Sequence, residues 1–147
     1  MHIRIKYFII LFYNTTQDNK PYFLMNTFII SSALLVAIDV IYLYFIGKPV
    51  FDKAVFAIQK TNLVAKMPPS IFTYVLMVVL LNYFIISVNK SPFDAFILGF
   101  CTYGIFDFTN LAIFKNYNFK TAIIDTLWGA ILFFVVTFLT YKLKKIF

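Results

Sequence analysis

Three aspartates, Asp39, Asp107 and Asp125, lie inside hydrophobic stretches long enough to cross a bilayer, and no lysine or arginine shares those stretches. A charged side chain facing lipid at mid-helix costs about 2.5–3.5 kcal/mol on the insertion scale. Acids at such positions therefore turn toward protein or water and mark candidate sites. Four arrangements can meet the cost. The carboxyl can hold its proton, accept hydrogen bonds from neighbours, face a hydrated cleft, or bind a cation, metal or amine. The bland alternative is a hydrogen-bonded polar seam that holds helices in register.

The spacing of the acids gives their depth. Asp39 lies nine residues before Lys48, Asp107 eight before Lys115, and Asp125 five after Lys120. At a helical rise of 1.5 Å per residue these offsets are roughly 13, 12 and 7 Å. All three acids are thus expected in the same half of the membrane, converging inside a bundle. Helical periodicity adds neighbours. Tyr103, Asp107 and Asn110 form one stripe, Asp125, Trp128 and Gly129 a second, and Asp39 and Tyr42 a third. Tyr42, Tyr103, Thr109 and Trp128 are the supporting residues around a polar cluster of Asp39, Asp107, Asn110 and Asp125. Trp128 has a second reading, as an aromatic anchor at headgroup level. Asn82 is deeper and less closely tied to the cluster.

The elements that must position these residues follow from hydrophobic runs. Four spans are expected, at about residues 27–47, 70–88, 92–114 and 121–141, each helical because backbone polar groups in lipid must be satisfied locally. The alternation of a barrel strand is absent. In the connector after the first span, Val50, Phe51, Ala54, Val55 and Ile58 fall on one helical face, which predicts a short amphipathic helix at the interface. The fold class is therefore all-α: a polytopic membrane protein, a four-transmembrane-helix bundle with that interfacial helix. About residues 1–24 form an N-terminal extension, interfacial or poorly ordered, and translation opens at Met1 or at Met25. About residues 25–147 form the transmembrane domain.

Composition agrees. The chain of 147 residues is 62% hydrophobic and only 13% charged, with a mean hydropathy of +0.86, whereas a soluble domain carries about a quarter charged residues. The net charge of +7 comes from lysines spread among loops and ends, so no nucleic-acid partner is expected. The partner is the lipid bilayer, and the localisation is integral membrane, multi-pass. On a four-span topology the basic residues divide seven to six between the two faces, which does not choose an orientation. His2 is the only histidine and Cys101 the only cysteine. A histidine-based metal site, a Ser-His-Asp triad and an intrachain disulfide are thereby excluded within one chain. No phosphate-binding glycine loop or nucleophile elbow is present. No catalytic motif, metal site or cofactor is expected.

The third and fourth spans read Tyr103-Gly104-Ile105-Phe106-Asp107-Phe108-Thr109-Asn110-Leu111-Ala112 and Asp125-Thr126-Leu127-Trp128-Gly129. This pattern resembles the uncharacterised four-helix membrane-protein family called domain of unknown function 2177, over about residues 25–147. In that family an aromatic-Gly-x-x-Asp-Leu-Thr-Asn run is followed by Asp-x-x-Trp-Gly. Tyr42 and Tyr117 stand where tryptophan is usual, and Phe108 where leucine is usual; aromatic or apolar character is kept. The resemblance implies the four-helix architecture and singles out the same polar residues, without naming a substrate.

Three functional readings follow from the cluster. The first is a small transport element for protons, cations or amines. The second is a structural or assembly component with a hydrogen-bonded polar seam. The third is a membrane-embedded lipid-modifying enzyme, with Asp107, Asn110 and Asp125 binding a metal or doing acid–base work.

Overall fold

The computed structural model describes residues 21–144. The expectations for the N-terminal extension fall almost wholly on residues outside that range. Among the described residues the structure is helical with no strand. The first helix, α1 (Pro21–Tyr42), passes through a π-helical turn (Leu43–Gly47) into α2 (Lys48–Gln59). Next come α3 (Met67–Leu81), which ends in a second π-turn (Asn82–Ile86), then α4 (Pro92–Ile113) and α5 (Phe119–Lys144). Four helical stretches are long and apolar enough to cross a membrane: Asn26–Gln59, Met67–Ile86, Pro92–Ile113 and Phe119–Lys144.

Local sequence accounts for the breaks. Pro49 has no N–H to give to the preceding turn, and its ring crowds the carbonyl four residues back. The chain there slips into the wider turn, with the Lys48 N–H reaching the Leu43 carbonyl. The helix expected after the first span is present as α2, joined to α1 without a loop. Lys60 ends it in the left-handed conformation at φ 57°, its N–H bonded to the Phe56 carbonyl at 3.0 Å. In the second π-turn Ser87 N–H reaches the Asn82 carbonyl at 2.9 Å. Helix α4 opens with a capping box. The Ser91 hydroxyl accepts from the Asp94 N–H at 3.2 Å, and Asp94 accepts from the Ser91 N–H at 3.0 Å.

Two contacts fix the up-and-down order. Asn116 Nδ2, in the connector between α4 and α5, donates to the Ala57 carbonyl of α2 at 3.2 Å. At the other end the Tyr141 hydroxyl donates to the Lys90 carbonyl at 2.9 Å, and Lys144 Nζ to Asn89 Oδ1 at 3.1 Å. The first and third connectors thus share one face, and the second connector and the end of α5 share the other.

Helix α5 is central. Half of its most apolar stretch is buried, against 17% for α4. Large apolar side chains such as Phe28, Ile41, Phe45, Phe72 and Ile105 are exposed on the outer surface, as a lipid-facing surface requires. Lipid tails are as apolar as leucine, so helices in a bilayer associate through close packing and polar contacts. Both are present. The α4–α5 contact is by far the most extensive in the bundle, because Gly99 and Gly129 let the backbones meet. A Cβ on Gly99 would collide with the Gly129 carbonyl, and one on Gly129 with the Tyr103 ring. Helices α1 and α3 are joined by two polar rungs instead, Asp39–Tyr74 and Ser31–Asn82, eight residues apart on each helix.

Candidate functional site

Asp39, Asp107 and Asp125 are all buried, with 5%, 0% and 6% of their surface exposed. Their environments differ. Asp39 is the last residue of a buried i, i+4 stripe on α1 that runs Thr27, Ser31, Leu35, Asp39. Each of its oxygens has a donor: Trp128 Nε1 at 2.8 Å on Oδ1 and the Tyr74 hydroxyl at 2.9 Å on Oδ2. These bonds come from two other helices and engage the carboxyl group on both sides.

Asp107 and Asp125 face each other across the tight α4–α5 contact, within hydrogen-bonding reach of one another. Two ionised carboxylates are both acceptors and cannot bond without a proton between them. The Tyr117 hydroxyl donates to Asp107 Oδ1 at 2.6 Å. Asp107 Oδ2 is buried with no donor at bonding distance, and the Thr126 and Tyr42 hydroxyls are buried without a partner. Tyr42 lies within electrostatic range of all three acids. Its ring stacks on Trp128 at 3.9 Å between centroids and 8° between planes. The stack links the Asp39 corner to the acid pair, since Trp128 stands three residues after Asp125 on α5. Tyr117 itself lies in the α4–α5 connector. Burial, and then its hydrogen bond to Asp107, hold its phenol above the ordinary tyrosine range.

The remaining sequence-selected residues are placed as follows. Trp128 has its indole N–H inside the bundle on Asp39, so the headgroup-anchor reading gives way to the internal one. Tyr103 packs under Gly129 and edge-on to Phe133, and its hydroxyl points to Met77 Sδ at 3.7 Å rather than to an acid. Asn110 is half-buried and its side chain interacts with Tyr117. Thr109 is exposed. It lies two residues past Asp107, about 200° around the helix at 3.6 residues per turn, and so stands outside the cluster. Asn82 belongs to a separate layer, where its Oδ1 accepts from the Ser31 hydroxyl at 2.8 Å.

Three participants escaped sequence reasoning: Tyr74, Tyr117 and Thr126. Tyr74 could have been found by depth, as a hydroxyl on the antiparallel neighbour level with Asp39. Tyr117 leaves no periodic signal, because it is a connector residue folding back onto a buried acid; only its place in the family pattern, where tryptophan is usual, marks it. Thr126 is one residue past Asp125, about 100° around the helix, so an i+3 or i+4 stripe does not include it.

Among the described residues, no group of three or more His, Cys, Asp or Glu side chains is arranged to hold a metal ion. An apolar groove lined by Ile38, Ile41, Tyr42, Phe45, Ile46 and Trp128 runs along α1, and none of the acids lines it.

The profile of a family described as "Predicted membrane protein (DUF2177)" matches residues 24–142. No curated protein and no solved structure matches the chain.

Proposed function

From the premise that the chain belongs to the DUF2177 family of predicted membrane proteins, we propose that it is a small transport element whose Asp107–Asp125 pair binds and releases a proton. One observation carries this reading. Two buried carboxyls face each other, Asp107 Oδ2 has no donor at bonding distance, and among the described residues no basic side chain is paired with either acid. Two carboxyls in reach of one another bond only through a proton, so the pair is suited to hold one proton and let it go. Tyr117 supports the charged form of Asp107 from the connector side, so the pair stands at the boundary between bundle and surface.

The seam reading is favoured at Asp39 alone, where both oxygens are taken up by Tyr74 and Trp128. The lipid-enzyme reading draws no comparable support, because the acids do not line the apolar groove on α1.

The test is proton flux. The purified chain is reconstituted into liposomes loaded with a pH-sensitive dye, and a potassium diffusion potential drives protons inward. Wild-type protein is expected to acidify the lumen faster than empty vesicles, and Asp125→Asn to return the rate to the empty-vesicle baseline. A wild-type rate equal to that of empty vesicles, with the helical fold intact by circular dichroism, overturns the reading.

A further inference from the structure

The face formed by the first and third connectors gathers cations around one tertiary bond. Asn116 Nδ2, in the α4–α5 connector, donates to the Ala57 carbonyl of α2 at 3.2 Å. Lys53, Ala57 and Lys60 follow at i, i+4 and i+7, one stripe along α2 and its C-cap. The bond therefore brings Lys115, the neighbour of Asn116, to the middle of a lysine stripe. All three lysines are exposed. Among the described residues, none of their ammonium groups has a hydrogen-bond or ion-pair partner. Asp52 is the one acid on α2. It lies five residues before Ala57, about 140° around the helix, and so faces away from the Asn116 contact. At the far end of α5 the lysines are taken up by the protein instead. Lys144 Nζ bonds Asn89 Oδ1 at 3.1 Å, and Lys142 stands over the Phe138 ring at 4.8 Å.

The surroundings of the three lysines indicate which anion they suit. Helix α2 follows the first spanning helix without a loop, and Lys115 lies two residues past the end of α4, so the cluster stands where spans meet the membrane surface. Ala54 is buried on the bundle side of α2. Phe56, three residues after Lys53, is 52% exposed, and Phe114, next to Lys115, is 43% exposed. A basic helix face edged by exposed aromatic rings suits a bilayer surface that carries negative charge. Lysine stems lie along apolar surface while their ammonium groups reach the headgroups. A soluble anion would engage the ammonium groups and leave the rings in water, whereas an anionic phospholipid engages both.

We propose that Lys53, Lys60 and Lys115 form a docking site for the phosphate of an anionic phospholipid, with Phe56 and Phe114 against its acyl chains. Clustered basic residues beside a span attract such headgroups electrostatically. The site is independent of the proton-binding reading and would stand without it.

The test measures lipid selectivity. The full chain is reconstituted in phosphatidylcholine bilayers holding a trace of chain-spin-labelled phosphatidylglycerol or phosphatidylcholine, and electron spin resonance gives the fraction of label immobilised by the protein. Wild-type protein is expected to prefer phosphatidylglycerol several-fold. Lys53→Gln with Lys115→Gln is expected to bring the ratio close to one. Lys90→Gln with Lys142→Gln, an equal charge change on the other face, is expected to leave it nearly unchanged. All four positions are exposed, so the variants are expected to fold, and circular dichroism checks it. A wild-type ratio of one overturns the proposal, and so does an undiminished preference in the Lys53–Lys115 variant. An equal loss in the two double variants also overturns it, since net charge alone then sets the preference. If glycerophosphate displaces the labelled lipid more than sodium chloride of the same ionic strength, the cluster is a soluble-anion site and the lipid assignment falls.

Discussion

The two sides of this bundle are held together differently. Helices α4 and α5 meet backbone to backbone through Gly99 and Gly129, with Tyr103 covering the contact. Helices α1 and α3 are fastened by two hydrogen-bonded rungs, Asp39–Tyr74 and Ser31–Asn82. Each side contains buried acid. On the bonded side Asp39 is consumed by the fastening, with both oxygens engaged. On the packed side glycine contact already holds the helices, and Asp107 keeps one oxygen without a donor. The lesson is one of division: close packing supplies the cohesion on one side, and hydrogen bonds supply it on the other.

The comparison can be broken first at its packed side. Gly129→Val drives a branched side chain into the Tyr103 ring, and overpacking of this kind costs typically 1–3 kcal/mol and occasionally more, so a loss of about 3 kcal/mol is expected here. Thermal unfolding in detergent reads it, and an unchanged midpoint would mean the helices are not in backbone contact. On the bonded side Asp39→Leu strands the Trp128 indole N–H and the Tyr74 hydroxyl together. Each buried unsatisfied group costs about 1–3 kcal/mol, but polar pairs in membranes average only about 0.6 kcal/mol, so a net loss of about 1–3 kcal/mol is expected. Ser31→Ala removes the second rung and should cost about 0.6 kcal/mol by the same membrane average. If Ser31→Ala proves as damaging as Asp39→Leu, the two rungs are equivalent and the special status of Asp39 disappears.

Asp125→Asn sharpens the contrast instead. It removes one of the two carboxyls that share the proton while keeping a hydrogen-bonding group. Stability is expected to stay within about 0.5 kcal/mol or rise slightly, while proton flux is lost. Replacing the same residue with leucine should destabilise, and the Asn–Leu difference measures how much hydrogen bonding the position contributes. A destabilised Asn variant with full flux would reverse the assignment and make Asp125 a fastening residue like Asp39. The smallest effect is expected from Tyr42→Phe. Its hydroxyl has no partner and its ring keeps the Trp128 stack, so the unfolding midpoint should barely move.

Much of this architecture was legible in the chain itself, for identifiable reasons. Charge exclusion from lipid makes spans and connectors self-evident, and the cost of a lipid-facing carboxylate turns Asp39, Asp107 and Asp125 inward before any coordinates are known. Depth counting from Lys48, Lys115 and Lys120 placed the acids in one half of the bundle, where Tyr42 lies within range of all three. What periodicity could not show was the pairing. Which acid faces which depends on helix rotation and on how closely two backbones approach, and that approach is decided by glycines whose signal is the absence of a side chain. Trp128 illustrates the same limit. Its type and depth suit a headgroup anchor, and only the neighbouring α1 stripe reveals that its indole serves Asp39. Thr109 fails for the opposite reason: proximity in sequence to Asp107 placed it near the cluster, whereas helical rotation carries it to the outer surface.

The Gly99–Gly129 contact also decides which parts of the molecule can move relative to which. With the Gly129 backbone occupying the space a side chain on Gly99 would need, α4 and α5 cannot part without opening a void that lipid tails must fill. They form the stator of the bundle. Hydrogen-bonded rungs, by contrast, can each be replaced by bonds to water, and α1 and α3 both end in a wider π-helical turn. Helices α1 and α3, joined by those rungs and not by backbone contact, are the pair better suited to turn against the α4–α5 frame.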